Sequence, residues 1–587
     1  MKYLISGIIT LFSFYLVTDA QVKQAHVDKS GKIFTTEHPH FHFPGTKNKS
    51  KQPVPWPKAF VPNQSFKNFR GVCLEDINHD GKDEIITGIN DSIYVLSGEG
   101  DILWSHYVEG TAIYPPSAAD INGDGEIEIV LNTGGSPANG RVYVFDHEGN
   151  VLEGWPVNFN DHWMTCAPAL ADINGDGIMQ ILTAERVGND LPGKLHVLNP
   201  DGTSFSENWP QEMDGIPAVT PTAGYFEGNS GTSSGADIIM CSTTGLYAFN
   251  IDGSQKNGFP VERDSVKYSY QSPLLVHSES ESKLFSATDN FIAGAKHGDL
   301  PGFYCMDTSG NMLGDYPVLT ADSNWTYGAP TCIGSYCNID FLLNGQPGAN
   351  GEGNYPAIYY DNGSQNGFFE RFDGLEGFIT AIECSNQDGY YVFTGSNLKT
   401  ETGLGFVHAY HMENDGTDVT FTELSGFPKM VPGFTFVNGI NVGDTDGDEY
   451  PELVVLSYDQ DMSEEDSTYI NVFDFDEQPY DPDKAYPTYK GDNTRAGEVR
   501  AFQCPGNSEI HTKNALSIYP NPVKDILFIE LEGIDHYRIY NITGHCIMQA
   551  KQPEINQVPV SELPSGIYFI EAGDSFGRTY YSKFTKL

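Results

Sequence analysis

The sequence predicts an all-β fold: a β-propeller followed by a small Ig-like β-sandwich. Three observations carry this expectation. An Asp- and Gly-rich phrase returns along the chain, short strands of alternating apolar residues follow each return, and the composition suits turns. Among 587 residues there are 62 Gly and 35 Pro, with 12% aromatic and only 19% charged residues. Many short strands joined by tight turns look like this, and a helical bundle does not. The length exceeds one ordinary domain and allows a large core. Aromatic and β-branched residues spread over the whole chain argue against disorder.

The phrase reads Leu74-Glu75-Asp76-Ile77-Asn78-His79-Asp80-Gly81, then Ala119-Asp120-Ile121-Asn122-Gly123-Asp124-Gly125, then Ala171-Asp172-Ile173-Asn174-Gly175-Asp176-Gly177. A looser copy is Gly443-Asp444-Thr445-Asp446-Gly447-Asp448. After each phrase come a β-branched strand (Glu84 to Thr87; Glu128 to Leu131) and an alternating strand (Ser92 to Leu96; Arg141 to Phe145). An acidic Gly turn follows, and units close on an aromatic-Pro pair: Trp155-Pro156, Trp209-Pro210, Phe259-Pro260, Tyr316-Pro317, Phe427-Pro428 and Tyr486-Pro487. Period-2 strands with Asx-Gly turns specify antiparallel hairpins. About 50 residues with roughly four strands make one propeller blade. Units beginning near residues 72, 116, 168, 221, 273, 329, 380 and 437 give eight blades, or seven if the poorly marked stretch 329–433 carries one fewer. The middle units keep strands and turns but lack the Asp phrase. Pro55-Trp56-Pro57 ahead of the first unit looks like the end of a repeat, so an N-terminal strand is expected to complete the last blade and remove exposed edges.

The phrase has its own chemistry. Asp76, Asn78, Asp80 and Glu84 place side-chain oxygens at positions 1, 3, 5 and 9, and Lys82 at position 7 offers its backbone carbonyl. Oxygens converging from one tight turn suit Ca²⁺, and Gly81 at position 6 permits the positive φ such a turn needs. Asp120, Asn122, Asp124, Glu126 and Glu128 repeat the pattern in full. Asp172, Asn174, Asp176 and Ile178 repeat it with neutral Gln180 at position 9, which predicts a weaker site. Asp444, Asp446, Asp448, Tyr450 and Glu452 keep the ligand positions, but Glu449 replaces the Gly, so that turn must be strained or differently shaped. A lone loop of this kind also reads as an Asx turn satisfying its own backbone. Recurrence in register with strands points to two to four structural Ca²⁺ sites. An EF-hand would need flanking helices, and β-branched strands flank these loops instead.

These phrases, strands and aromatic-Pro ends resemble the FG-GAP/VCBS repeats of integrin α-subunit propellers and their bacterial relatives, over about residues 55–503, strongest in the first three units. The resemblance implies calcium in a loop between strands of a blade, in a structural role. After a linker at 504–512 the pattern changes: Ile518-Tyr519-Pro520-Asn521-Pro522-Val523, alternating strands, then Leu563-Pro564-Ser565-Gly566-Ile567-Tyr568-Phe569 and a basic end. Residues 513–587 resemble the type A C-terminal sorting domain of the type IX (Por) secretion system of Bacteroidetes. That implies handling by this machinery, tail removal, and release or attachment at the outer-membrane surface.

At the other end, Lys2, the apolar run Tyr3 to Val17 and Thr18-Asp19-Ala20 read as a signal peptide over residues 1–20, leaving Gln21 first in an N-terminal arm at 21–54. No later stretch approaches the ~18 apolar residues of a membrane span. In the arm His38, His40 and His42 alternate, which an extended strand would put on one face for a transition metal. Two Pro and two Phe favour a packed arm instead. The nine Cys form no CxxC pair. Export permits disulfides: Cys332 and Cys337 could close a small loop, and the eight Cys outside the tail could pair fully or remain buried thiols.

The formal charge is −46, from 79 acidic against 33 basic residues, with no basic cluster. This excludes a nucleic-acid binder and disfavours anionic lipid. No Gly-rich phosphate loop or nucleophile elbow appears. The expected function is a secreted or cell-surface, non-catalytic binding or adhesion module for a glycan or protein ligand. The alternative is a calcium-dependent polysaccharide lyase or glycoside hydrolase. It would need a base and cations near the central funnel, and Arg186, Lys194, Arg263, Lys267, His162 and His297 are the candidates.

Overall fold

The computed structural model describes most of residues 56–60, 71–289, 302–319, 378–500 and 516–587, with short breaks. It describes the backbone alone of strands Val22–Val27, Ile33–Glu37, Thr331–Tyr336, Ile339–Pro347 and Asn354–Tyr360. The described residues are nearly all β, with a 3₁₀ turn at Pro482–Lys484. Among them no helix is long and apolar enough to cross a membrane. The chain divides into two compact units, residues 1–334 with 339–502, and residues 335–338 with 503–587.

The first unit is a succession of antiparallel meanders, each starting with a short strand that carries small or apolar residues. The first sheet runs Cys73–Glu75, Glu84–Ile89, Ser92–Leu96 and Ile102–Tyr107. The second runs Ser117–Ala119, Glu128–Thr133, Arg141–Phe145 and Val157–Asn158. Further sheets begin with Ala169–Ala171, Thr222–Gly224, Leu274–His277, Thr380–Glu383 and Ile440–Gly443, and a three-stranded sheet spans 331–360. The opening strands lie beside one another from Thr380–Glu383 through Ile440–Gly443, which adjoins Cys73–Glu75, and on in order to Leu274–His277.

The cores lie between neighbouring sheets. Val72, Leu74, Ile85 and Leu96 of the first sheet pack on Val454, Leu456, Ile470 and Val472 of the last. Cys73, Ile86 and Val95 pack on Ile129, Leu131 and Phe145 of the second. Strand faces that bury side chains on both sides explain the continuous apolar runs. Sheets packed face to face behind a curved row of adjoining inner strands are the arrangement of a β-propeller.

Closure works as the sequence suggests. Lys58–Phe60 pairs antiparallel with Thr468–Asp474, so a strand preceding the first sheet completes the last one. The aromatic-Pro ends also acquire a reason. The indole Nε1–H of Trp56 donates to the Gly98 carbonyl at 3.1 Å, Trp155 to Pro200 at 2.7 Å and Trp209 to Ile251 at 3.0 Å. Each is a buried ring at the end of one unit, bonded to the turn of the next sheet. Replacing Trp155 with Phe keeps most of the packing and removes only this bond, so the melting curve should show a loss of about 1 kcal/mol.

Two expectations need correction. Tyr486-Pro487 does not end a unit. Ala485–Tyr486 pairs with Thr380–Glu383, and the chain then crosses the ring, as described below. Full disulfide pairing is also overturned, since Cys73, Cys166, Cys241, Cys305 and Cys384 are buried thiols outside any disulfide. Burial also pushes the Cys166 thiol up to about 11, away from reactive thiolate. Cys332, Cys337, Tyr316, Arg263, His297 and the His38–His42 stretch lie outside the residues whose side chains are described.

The second unit has two sheets, Ser517–Tyr519 with Ile526–Glu530 and Gln557–Pro559, and Cys546–Lys551 with Ile534–Tyr540, Gly566–Asp574 and Thr579–Lys586. One core, including Val523, Leu527, Ile539, Val558, Ile570 and Phe584, is drawn from both sheets.

Candidate metal centres

Each Asp loop joins an inner strand to the second strand of its sheet, and four side chains turn it inward. At position 1, Asp120 accepts the N–H groups of Gly123 (2.7 Å), Asp124 (3.2 Å) and Gly125 (2.9 Å). Asp172 does the same, while Asp76 accepts from Asp80 and Gly81, and Asp444 from Gly447 and Glu449. At position 5, Asp80, Asp124, Asp176 and Asp448 accept the N–H of position 7, which holds Lys82, Glu126, Ile178 and Tyr450 in the turn. Position 2 pins the loop: Ile77, Ile121, Ile173 and Thr445 are buried.

The N–H of position 2 then holds position 9. Ile77 donates to Glu84 at 3.1 Å, Ile121 to Glu128 at 3.0 Å and Thr445 to Glu452 at 2.6 Å. The Asn78 and Asn122 amides donate to the other oxygen of Glu84 and Glu128, at 2.7 and 2.8 Å. Gly81 sits at φ +87°, and Glu449, in the same place, at +72°, so the fourth loop keeps the turn shape at a strain a Gly would avoid.

In the fourth loop the carboxylates fit a calcium ion. Asp444, Asp446 and Glu452 bring carboxylate oxygens within 4.8 Å of one another. Ca–O distances of about 2.3–2.6 Å put ligand oxygens within that spread. Burial, aided by the neighbouring Asp carboxylates, pushes Glu84 and Glu128 up to about 7 and Glu452 up to about 8. Buried carboxylates in such company call for a cation.

The third loop is different in detail. Gln180 accepts from Ile173 through Oε1, so its Nε2 faces the other way and donates to the Ile178 carbonyl at 3.1 Å. The amide thus occupies the carbonyl expected to serve at position 7, a reason beyond charge for this loop to be the weakest.

The missing phrases of the next two sheets also have a physical account. Phe226 donates to Asp237 at 2.9 Å, as position 2 does to position 9 elsewhere, and the Lys256 ammonium pairs with Asp237 and lies 4.5 Å over the Phe226 ring. In the fifth sheet the register Val276↔Lys283 puts buried Lys283 where Glu84, Glu128 and Glu452 stand. In these two sheets a lysine thus stands at position 9 or is paired with it. The four Asp loops are therefore neighbours along one arc. Asp83 of the first donates its N–H to the Asp444 carbonyl (2.8 Å), and Met179 of the third to Ile121 of the second (3.0 Å).

The axis of the ring is filled by the chain itself, which nothing in the sequence announced. After Tyr486, carbonyls of the crossing segment meet the otherwise unpaired N–H groups of the inner strands one by one. Val442 donates to Pro487, Ala118 to Asn493, Leu170 to Thr494, Ala223 to Ala496 and Leu275 to Gly497, at 2.8–3.1 Å. Glu498–Arg500 then runs parallel to Leu274–His277. Two buried cations sit in this segment. Lys490 Nζ donates to Thr222 Oγ1 at 2.8 Å and to the Pro221 carbonyl. Arg495 donates to the carbonyls of Pro116, Val72 and Tyr489 and to Thr488 Oγ1. Of the funnel candidates, Arg186 lies over the Trp163 ring, and His162 bonds Glu185, which His196 also holds at 2.6 Å. Lys194 is in register opposite Glu212. They belong to one sheet's hairpins, and Lys267, in the strand Lys267–Tyr268, lies outside the residues whose side chains are described.

Residues 120–183 match the FG-GAP-like repeat family, and residues 517–585 match the secretion system C-terminal sorting domain family. The chain thus contains an FG-GAP-like repeat within its first unit. More particularly, it carries the sorting domain of the type IX secretion system and is secreted or attached at the outer-membrane surface. No curated protein matches it. Among solved structures, the BP39L lectin from Burkholderia pseudomallei aligns at 10% identity over 62% of this chain and 96% of its own, with a TM-score of 0.38. Apo AztD from Citrobacter koseri aligns at 8% identity over 68% and 96%, with a TM-score of 0.32. Likenesses this distant carry no argument about function.

Proposed function

We propose that the chain is an eight-bladed, calcium-stabilised propeller at the cell surface that binds a glycan or protein ligand without turning it over. In this reading residues 1–20 direct export, residues 55–503 make the binding module, and the Ig-like tail at 513–587 serves the type IX machinery and is removed. The observation that supports it is the filled axis. A lyase or hydrolase working in the funnel would need a base and cations open to a sugar chain. Lys490 and Arg495, the cations placed there, are buried and spend their donors on backbone carbonyls and threonine hydroxyls. A ligand is left with the loops that connect strands at the rims, where propeller folds host unrelated functions.

The purified protein with bound calcium should show saturable binding on a glycan array or to an extracellular protein panel, and no product release from a polysaccharide panel. Calcium-dependent release of unsaturated or reducing sugars would replace this reading with the enzymatic one.

A further inference from the structure

We propose that the fourth and fifth sheets form a calcium-independent sector of the propeller, in which Lys256 and Glu498 do what the ion and the position-1 Asp do elsewhere. The proposal extends the calcium-stabilised reading above and rests on it. In the fourth sheet the register Gly224↔Asp237 matches Glu75↔Glu84, so Asp237 stands at position 9 and Phe226 at position 2. The Phe226 N–H meets Asp237 Oδ2 at 2.9 Å, as Ile77 meets Glu84. The other carboxylate oxygen, which Asn78 meets in the first loop, takes the Lys256 ammonium. That ammonium also lies 4.5 Å over the buried Phe226 ring, which holds it beside the carboxylate. A buried carboxylate needs a cation, and here the chain supplies one that no chelator removes.

Position 1 is replaced as well. Tyr225 and His277 stand where Asp76, Asp120, Asp172 and Asp444 turn their loops. Both are held from outside their sheets by one carboxylate of the crossing segment. Glu498 Oε1 accepts the Tyr225 N–H at 2.9 Å and lies 2.6 Å from His277 Nε2. His277 Nδ1 is 2.8 Å from Ser282 Oγ, at the far end of the loop. A Cβ on Gly224 would come within 2.7 Å of the Glu498 carboxyl carbon, so this Gly makes room for the carboxylate. In the fifth sheet the loop 277–282 is two residues shorter than 76–83, and buried Lys283 ends it, so the ligand spacing is lost. A lysine within the sheet and a carboxylate from the axis thus fall on the same two sheets.

The test is hydrogen exchange of the full chain, read by mass spectrometry with calcium bound and after chelation. Chelation should deprotect Glu84–Ile89, Glu128–Thr133 and Glu452–Tyr458 and leave Asp237–Cys241 and Leu274–His277 as they were. Lys256→Met should lower the protection of Asp237–Cys241 by about tenfold or more in both conditions, because a buried carboxylate is left unpaired. Asp237→Asn added to it should restore most of that loss, which separates the pair from a general folding defect. Glu498→Ala should lower the protection of Thr222–Gly224 and Leu274–His277 with calcium bound. Equal deprotection of all five segments on chelation overturns the sector alone. Deprotection nowhere removes the calcium reading and the sector with it. Either Lys256→Met or Glu498→Ala indistinguishable from wild type also overturns the proposal.

Discussion

Arg495→Met is expected to lower the melting temperature more than any single substitution in the Asp loops. The guanidinium is fully buried, and its donors meet the carbonyls of Pro116, Val72 and Tyr489 at 2.9–3.1 Å and Thr488 Oγ1 at 3.2 Å. These acceptors come from two inner strands' leading residues and from the crossing segment, so the side chain ties the segment to the ring. Met fills a similar volume but donates nothing. Each buried acceptor left unmet costs about 1–3 kcal/mol, and several are left at once, so the loss should reach about 4 kcal/mol. Lys490→Met should cost less. Burial drives the Lys490 pKa well down, so removing that charge recovers desolvation that offsets the lost bonds to Thr222 and Pro221. Arginine has no such route, because it stays charged. Equal melting of Arg495→Met and wild type would show that the axial segment does not anchor the ring.

The contrast between this segment and the Asp loops shows what a sequence exposes. Asp120, Asn122, Asp124 and Glu128 are legible because one short turn supplies nearly all their partners, so spacing along the chain is spacing in the site. Trp56 is legible because it repeats Trp155 and Trp209. The crossing segment offers neither clue. It gives one carbonyl to each inner strand at irregular intervals, Pro487, Asn493, Thr494, Ala496 and Gly497, so no periodicity marks it. It begins with Tyr486-Pro487, which imitates the end of a repeat. The signal available was Lys490 and Arg495, two isolated cations beside a propeller's end in a chain of charge −46. The Lys256 and Lys283 replacements were hidden for a related reason. Only the register Gly224↔Asp237 and Val276↔Lys283 shows which residues stand at position 9 once the loop changes length.

Removing calcium should lower the melting temperature, and by more at pH 8 than at pH 6. In the ion-free protein Glu84 and Glu128 hold protons up to about pH 7 and Glu452 up to about pH 8, against 4.5 for the ordinary carboxyl. A carboxyl whose pKa rises on folding gives stability that is complete below its unfolded value and is lost as pH climbs through the folded one. The chelated propeller therefore weakens across the interval from about 4.5 to 8, where these groups ionise beside Asp76, Asp80, Asp120, Asp124, Asp444 and Asp446. Calcium takes over from the protons in the same interval, so the loaded protein should melt with little pH dependence. At a hundredfold excess over Kd each ion adds about 2.7 kcal/mol. Asp120→Ala should reduce the calcium-dependent shift more than Asp172→Ala, because Gln180 brings no charge and its amide already occupies the Ile178 carbonyl. Calorimetric melts with and without chelator at both pH values check this. A chelator shift that is absent, or larger at pH 6, would remove calcium from its structural role.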